Sequence, residues 1–237
     1  MTTVKLSPRL ATAVDFVRPG RLLCDVGTDH AYLPICLCGS GITPRAIASD
    51  VRPGPLERAR LHIAACGLSD RIETRLTDGL SGLETSAPED ITVFGMGGEL
   101  IASILAAADF VRSPEVRLIL QPMTHPELLR GWLFEQGFAI LGERLSAEDD
   151  RIYQTICAEY RPGARPAPYT AAELLTGRLY PAEQWELHIA LIRKTLCTME
   201  ARRAARANAG RDVAEETDVI RALKELAGAV TPPVSRS

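Results

Sequence analysis

Residues 22–33 read Leu-Leu-Cys-Asp-Val-Gly-Thr-Asp-His-Ala-Tyr-Leu and contain the strongest structural signal in the chain. An apolar run ends at an acid, Asp25, and a turn through Gly27 leads into a second apolar stretch that begins near Ala31. This pattern predicts a buried strand, a tight turn and the first turn of a helix. At such a turn, an open α/β sheet presents backbone N–H groups and a helix N-terminus to a ligand.

The spacing within this turn indicates the charge of the ligand. A dinucleotide fingerprint requires G-x-G-x-x-G, so that the backbone can approach a pyrophosphate. Only Gly27 is present here, because Asp29 and Ala31 stand where further glycines are expected. A carboxylate at Asp29 would repel a pyrophosphate, but it suits a cationic ligand such as S-adenosylmethionine. The pattern acid-x-Gly-x-x-x-Ala is similar to the acid-x-Gly-x-Gly-x-Gly loop of class I methyltransferases; a turn that binds nothing is the alternative.

Length and composition limit the remaining possibilities. A chain of 237 residues can form one full α/β domain and a smaller appendage. Its formal net charge of −3 gives no sign of nucleic-acid binding by the whole chain, so any basic surface must be local. Neither a signal peptide nor a membrane span is predicted, and we expect no membrane partner. The six cysteines lack metal-ligand spacing, which predicts no metal site and a reducing compartment, the cytoplasm.

Three further predicted strands are followed by acids or glycines. The strand over residues 45–50 ends at Asp50, which lies 25 residues after Asp25. Nucleotide-binding α/β folds place a ribose-binding acid near this position, although Asp50 is also suited to cap the next helix. The strand over 71–76 precedes Asp78-Gly79, a ligand contact or a common turn, and the strand over 91–94 precedes residues 95–98, Gly-Met-Gly-Gly. Three glycines in four residues permit close backbone approach to a ligand, with a plain flexible turn as the alternative.

The remaining segments complete the predicted layout. A helix over residues 6–17 precedes the first strand, and a fifth strand over 116–120 is followed by a helix over 127–136. Strands over 139–145 and 152–160 form a hairpin. Five β–α units followed by a hairpin form the seven-stranded, mostly parallel sheet of class I methyltransferases, a Rossmann-like α/β fold.

The composition changes after the hairpin, which predicts a second unit. A Pro-rich segment, residues 161–168, ends the first domain, so we predict domains at 1–162 and 163–237. Helices over 183–209 and 213–229 form a coiled-coil-like hairpin, and residues 230–237 form a frayed tail. The first of these helices carries a basic stripe: Arg193, Lys194, Arg202, Arg203 and Arg206. The stripe is either a solvated helix face or a phosphate-binding surface.

Several short motifs together identify a family. They are residues 6–10 (Leu-Ser-x-Arg-Leu), 25–34 (Asp-Val-Gly-Thr-Asp-His-Ala-Tyr-Leu-Pro), 78–80 (Asp-Gly-Leu), 95–98 (Gly-Met-Gly-Gly) and 118–122 (Leu-Ile-Leu-Gln-Pro). In combination they resemble the bacterial tRNA (adenine-22-N1)-methyltransferase family over roughly residues 5–160. The resemblance implies a class I S-adenosylmethionine-binding domain with a C-terminal coiled-coil-like helical domain, tRNA as partner and methylation of N1 of adenine 22.

The resemblance also implies which residues contact the cofactor. The implied contacts are Asp25, Gly27 and Thr28 at the methionine end, Asp50 and Val51 at the ribose, Asp78 and Gly79 at the adenine end, and Gly95 and Met96 beside the transferring methyl. The chain departs from the common pattern at Asp50, where Glu is common, and at residues 123–125 (Met-Thr-His), where Asn is usual. The second departure affects the expected substrate contacts more than the cofactor site.

The chemistry needs position more than a general base, because N1 of neutral adenine already carries a free lone pair. We expect two catalytic residues: Asp29, which stabilises the positive charge that develops on the base or holds its amino group, and Gln121, which reads the Watson–Crick edge. His30 and Tyr32 are expected to stack on or orient the base. Each of these residues also has a plain structural interpretation, namely capping, strand-end hydrogen bonding or helix packing. Phosphate contacts are expected from Arg9 and from Arg202, Arg203 and Arg206.

Other functions remain open from the sequence. A class I methyltransferase that acts on another RNA, a protein or a small molecule would share every cofactor residue. A non-catalytic S-adenosylmethionine-binding docking protein would bind cofactor without turnover. An NAD oxidoreductase is disfavoured because the glycines of the dinucleotide fingerprint are missing. No oligomeric state is predicted.

Overall fold

A computed structural model describes residues 4–164 and 167–229 of the chain. The strands are β1 (Leu23–Val26), β2 (Ala46–Asp50), β3 (Ile72–Leu76), β4 (Asp90–Met96), β5 (Arg117–Pro122), β6 (Phe138–Glu148) and β7 (Arg151–Tyr160). The helices are α1 (Pro8–Ala11), α2 (Tyr32–Gly39), α3 (Pro53–Ala65), α4 (Gly98–Ala106), α5 (Pro126–Glu135), α6 (Ala171–Thr176), α7 (Trp185–Asn208) and α8 (Ala214–Ala229). The predicted α/β class with a C-terminal helical hairpin is confirmed.

The seven strands form one sheet in the order β3-β2-β1-β4-β5-β7-β6. β1 pairs in parallel with β2 on one side and with β4 on the other, whereas β7 runs antiparallel to both β5 and β6. From β1, the strands β2 and β3 therefore extend towards one edge of the sheet, and β4 and β5 extend towards the other. The strand order reverses between β1 and β4. In open α/β sheets, ligands bind in the crevice at the carboxyl ends of the strands beside such a reversal.

Alternate residues of the central strands enter two separate cores. Leu23 packs in the layer of α1, α2 and α3, whereas its neighbour Cys24 packs in the layer of α4 and α5. Burial of a leucine or isoleucine side chain stabilises the fold by about 1.5–3 kcal/mol, so these two layers fix the sheet firmly. The strand ends that surround the crevice are thus held in place from both faces.

The first helix is much shorter than the sequence predicts. Ser7 caps it, but the α-helix ends at Ala11 and the following residues form turns. The Thr12 hydroxyl bonds to the Arg9 carbonyl at 2.7 Å and lies 2.7 Å from the hydroxyl of Thr155 on β7. These side-chain bonds hold the chain against the sheet and favour turns over a continued helix.

The sequence did not predict α6, which begins with a capping box formed by Thr170 and Glu173. This helix contacts a buried polar cluster at the junction of the sheet and the C-terminal helices. Arg130 donates to Glu143 at 2.9 Å and 2.6 Å and to the Leu174 carbonyl at 2.8 Å. Burial opposes ionisation of Glu143, but Arg130 and two backbone N–H groups outweigh it and lower the pKa of this carboxyl.

The helices α7 and α8 pack against each other around Ile192 and Leu223, with Ala172 of α6 beside them. The predicted domain boundary at residue 162 falls just after β7, and it stays a prediction. Residues 165–166 of the Pro-rich segment and the predicted tail, 230–237, lie outside the described residues. No helix in the described part of the chain is long and apolar enough to cross a membrane.

Candidate active site

Two cavities meet at the carboxyl ends of β1 and β4. One has a volume of about 300 Å³ and the other about 340 Å³, and both are lined by residues 26–27 and 94–95. The first continues along residues 28–33 and reaches Arg9, whereas the second continues to Asp50, Asp78 and α4. A ligand that spans the two cavities would pass directly over Gly27 and Gly95. The structure thus brings the predicted cofactor residues to one crevice.

Asp25 lines the first cavity and is only 8% exposed. Thr92 on the neighbouring strand donates a hydrogen bond of 2.7 Å to its carboxylate. Burial raises the pKa of Asp25 to about 6, and the hydrogen bond from Thr92 opposes this shift only in part. A cation bound beside Asp25 would favour the ionised form, so this carboxylate fits the amino group at the methionine end of the cofactor.

The other buried acids of the described residues have different surroundings. They are Asp50, Asp90, Glu143, Glu159 and Glu216. Each has an arginine nitrogen within 4 Å, namely from Arg52, Arg18, Arg130, Arg117 and Arg202 respectively. Asp25 has no such partner within residues 4–164 and 167–229. A buried carboxylate is costly without a positive partner, and this absence indicates that Asp25 receives one from a ligand.

Thr28 and Gly27 complete the floor of the first cavity. The Thr28 hydroxyl is buried near Asp25 but makes no hydrogen bond of normal geometry within the described residues. Gly27 has a φ of +76°, and a Cβ atom there would lie 2.3 Å from the Cε of Met96. Glycine is required here both by the left-handed backbone and by the close approach of Met96. The hydroxyl and the narrow gap fit the polar end of a cofactor.

The second cavity has the properties of an adenosine site. One oxygen of the buried Asp50 carboxylate accepts the Arg52 N–H at 2.8 Å. Val51, Asp78 and Gly79 line the same cavity with Leu100 and Ile104 of α4. The apolar side chains suit the faces of a purine, and the acids suit ribose hydroxyls and an amino group. An open depression of about 650 Å³ continues beyond Asp78 and Gly79.

Asp29, His30 and Tyr32 lie at the mouth of the first cavity. Arg58 of α3 donates a hydrogen bond of 2.5 Å to Asp29, and this bond lowers the pKa of the exposed Asp29 carboxyl. His30 and Tyr32 have ring centroids 5.3 Å apart, and His62 of α3 lies edge-on to Tyr32 at 5.2 Å. The exposed Tyr32 therefore stands between two imidazole rings, where a base could stack.

The sequence predicts that Gln121 faces the cavity, but in the structure it does not. Its side chain is 0% exposed, and its amide oxygen accepts hydrogen bonds from Arg9 at 2.9 Å and from the Gly95 N–H at 3.2 Å. Its amide nitrogen donates to the Pro122 carbonyl at 3.0 Å. These bonds occupy the amide, so this geometry does not offer the expected direct contact with the base. Arg9 lines the cavity instead, and its side chain is partly exposed.

The basic stripe is partly neutralised within the helical hairpin. Glu216 of α8 is fully buried, and its carboxylate lies 3.0 Å from Arg202 and 3.2 Å from Arg206. Arg203, by contrast, has no salt bridge within the described residues. The predicted phosphate contacts of Arg202, Arg203 and Arg206 stay predictions, and Arg203 is the one of the three without an acidic partner in the described residues.

Sequence reasoning missed Thr92, Arg58, His62, Leu100 and Ile104. Thr92 and Arg58 act through partners far away in sequence, so only the folded structure shows them. Leu100 and Ile104 do have a signal, because they lie one turn apart on the helix that follows the glycine cluster. Within the described residues, no group of three or more His, Cys, Asp or Glu side chains could hold a metal ion.

Comparisons with known proteins agree with this geometry. Residues 6–156 match a family described as methyltransferase domain. The chain is 36% identical over 179 residues to the tRNA (adenine(22)-N(1))-methyltransferase of Bacillus subtilis (strain 168). The aligned region covers 76% of this chain and 74% of that protein.

Two solved structures extend the similarity to nearly the whole chain. Streptococcus pneumoniae Sp1610 in complex with S-adenosyl-L-methionine has a TM-score of 0.81 and 33% identity, covering 94% of this chain and 100% of that one. The Bacillus subtilis m1A22 tRNA methyltransferase TrmK has a TM-score of 0.76 and 29% identity, covering 96% and 97%. The similarity therefore includes the C-terminal helices as well as the sheet.

Proposed function

The chain belongs to the tRNA (adenine(22)-N(1))-methyltransferase family, and we propose that it methylates N1 of adenine 22 in tRNA with S-adenosylmethionine as cofactor. Such a substrate would make the protein a cytoplasmic enzyme. The observation that carries this proposal is the buried Asp25 carboxylate of the first cavity, which has no arginine nitrogen within 4 Å in the described part of the chain. It fits a cationic methyl donor and does not fit a pyrophosphate.

The methyl donor would lie across the two cavities, with different residues contacting its two ends. Asp25 and Thr28 would bind the methionine end, Gly27 would let the backbone approach, and Asp50 with Val51 would hold the ribose. Asp78 and Gly79 would border the adenine end, and Gly95 and Met96 the reacting carbon. When bound, S-adenosylmethionine supplies an electrophilic methyl group. What the chain adds is alignment, because in-line displacement requires donor and acceptor atoms at about 3–3.5 Å.

The cavity mouth would receive the adenine. Attack by N1 places positive charge on the base, and an ionised Asp29 lowers the energy of that charge. Because the hydrogen bond from Arg58 lowers the pKa of Asp29, this carboxyl is ionised at neutral pH. His30 and Tyr32 would stack on or orient the base. No group needs to remove a proton from N1 before the methyl transfer.

Adenine 22 must leave the stacked core of tRNA to reach this site. Unstacking costs a few kcal/mol, which contacts to the RNA backbone must offset. Arg9 beside the cavity and the arginines of α7 would supply such contacts. An RNA partner for an acidic chain is consistent with a positive surface that is local.

The decisive test is mass spectrometry of nucleosides from unmodified tRNA before and after incubation with the protein and S-adenosylmethionine. We expect 1-methyladenosine to appear, and to be absent when the same transcript carries guanosine at position 22. A D25A variant, prepared and tested in parallel, should bind cofactor poorly and form little product. Methylation of the guanosine-22 transcript at an equal rate would contradict the assignment of the position.

Cofactor binding provides an independent measurement of the site. Calorimetry with S-adenosylhomocysteine should show one binding event in the wild type. Binding without turnover on any tRNA would favour a docking protein over an enzyme. No binding at all would contradict the cofactor assignment.

A further inference from the structure

We propose that Gln121 is a positioning residue that holds the Arg9 guanidinium in the active-site cavity, where Arg9 binds an anionic oxygen of substrate or cofactor. This inference rests on the proposed methyltransferase function and extends it. Gln121 itself would touch neither the base nor the cofactor. It would act through Arg9, and the hydrogen bond from the Gly95 N–H would fix its amide oxygen.

The first support is the geometry of the Gln121 amide. One oxygen accepts both the Arg9 guanidinium at 2.9 Å and the Gly95 N–H at 3.2 Å. Gly95 has a φ of +79° at the end of β4, where a bulge shifts the register with β5. A single buried atom thus joins the N-terminal helix to the loop that borders both cavities. An amide oxygen suits this role, because an apolar side chain here would leave two donors unpaired.

The second support is that the backbone of Arg9 is fixed without Gln121. Thr12 bonds to the Arg9 carbonyl and to Thr155 of β7. The guanidinium also lies 5.7 Å from the centre of the Tyr153 ring and its Nε lies 3.8 Å from Glu148. Loss of the Gln121 oxygen would remove the hydrogen bond that holds the guanidinium and leave it only these two longer contacts, while the helix stays in place. This separation makes the positioning role measurable.

The third support is the donor capacity that remains on Arg9. A guanidinium has five N–H donors, and within the described residues that of Arg9 makes one hydrogen bond and one ion-pair contact, with Glu148 at 3.8 Å. The guanidinium lines the same cavity as Asp25 and Asp29, so it faces the reacting groups. A cation would not stabilise the positive charge on the methylated base. Its chemistry instead fits an anion: the phosphate beside the extruded adenine, or the cofactor carboxylate.

The test compares Q121L, Q121E and R9M with the double variant Q121L/R9M. For each we would measure kcat and KM for tRNA and the Kd for S-adenosylhomocysteine. Q121L should lower kcat/KM for tRNA by about 100-fold, since small misplacements of positioning groups cost that much. In the R9M background the same substitution should change kcat/KM less than about 3-fold, because its target is already lost.

Gln121→Glu separates the positioning role from base reading. The carboxylate keeps an acceptor for Arg9 and Gly95 but loses the amide N–H donor. We therefore expect Q121E to retain at least ten times the activity of Q121L. Equal loss in the two variants, or a full effect of Q121L in the R9M background, would overturn the proposal in favour of direct contact with the base.

Gln154 offers a matched control for a purely structural effect. Its buried amide also accepts from an arginine, Arg130 at 2.8 Å, and donates to a backbone carbonyl, that of Leu175 at 3.1 Å. Q154L should lower the melting temperature but leave kcat/KM per folded molecule unchanged. If Q154L and Q121L reduce activity in proportion to their loss of stability, the positioning role is wrong.

The readouts also identify the anion and separate this inference from the proposed function. A rise in KM for tRNA with an unchanged Kd assigns the phosphate, whereas a weaker Kd assigns the cofactor carboxylate. If the wild type does not methylate tRNA, the proposed function fails. A crystal structure of Q121L then still tests the inference: Arg9 should have left the cavity, and an unmoved Arg9 overturns it.

Discussion

The environment of Asp25 predicts that cofactor affinity depends on pH. Its carboxyl has a pKa of about 6 because burial disfavours the charge. A cationic ligand requires the ionised form, so affinity should be constant at high pH and fall as pH drops through 6. Relative to pH 7.5, the Kd should rise about 2-fold at pH 6 and about 10-fold at pH 5.

The same shift predicts an unusual effect on stability. A carboxyl whose pKa rises from 3.8 to about 6 on folding destabilises the ionised native state by about 3 kcal/mol. The native state then binds this proton more readily than the unfolded state, so this contribution destabilises at pH 7.5 and is relieved as pH falls from 6 towards 4. Asp25→Asn removes the charge and should raise the melting temperature of the ligand-free protein by about 6–12 °C at pH 7.5.

Calorimetry with S-adenosylhomocysteine from pH 5 to 8 and thermal melts of the free protein are the assays. In D25N, the Kd should be weak and should lose the roughly 10-fold rise between pH 7.5 and 5 that the wild type and a D78N control both show. D78N alters an exposed acid of the same crevice and should keep the pH slope of the wild type. A D25N variant that is less stable than the wild type at pH 7.5, or that keeps the full pH slope, would refute the reasoning.

Further predictions concern backbone, core and surface. Gly27→Ala should raise the Kd for S-adenosylhomocysteine at least 10-fold. Gly41 is a matched control, because it has the same φ of +76° but a Cβ atom there would meet no atom within 4 Å. Gly41→Ala should cost only about 1–2 kcal/mol of stability and leave the Kd unchanged. Arg130→Met should lower the free energy of unfolding by about 3–5 kcal/mol in denaturant titrations, because it leaves a buried carboxylate unpaired. Arg203→Glu should weaken tRNA binding and reduce its salt slope by about 1 without loss of stability. Arg202→Glu should in addition destabilise the hairpin, since it faces the buried acid of α8; equal melting temperatures for the two variants would contradict this difference.

The sheet and its ligand edge could be predicted because their signals are local. Apolar runs that end in acids, such as the one before Asp25, determine both a strand and the polar group at its end. The short helix α6 could not be predicted in this way. Its six residues are too few to show helical periodicity, and it is stabilised by contacts with α8 and with the Arg130 cluster.

The candidate site was harder to predict than the fold, because a side chain's role depends on its partners. Asp50 and Gly95 lie where their sequence motifs indicate. Gln121 also lies at a strand end, as its motif indicates. Its amide, however, is held inside the protein by a hydrogen bond from Arg9, which precedes it by 112 residues. Nothing near Gln121 in the sequence indicates that partner. Local patterns therefore identify which residues reach the crevice better than they identify which atoms face the ligand.

The β6–β7 hairpin contacts both Arg9, near the start of the chain, and the long helix α7. Glu148, at the end of β6, lies 3.8 Å from Arg9, which itself lies over Tyr153 of β7. Lys194 of α7 donates a hydrogen bond to the Asp150 carbonyl in the turn between these strands. The helix that carries the basic stripe is thus tied to the same turn that borders Arg9. If α7 binds RNA phosphates as proposed, a phosphate bound near Lys194 would therefore lie beside the turn that borders Arg9, and R9M combined with Lys194→Ala should weaken tRNA binding less than the sum of the two single effects.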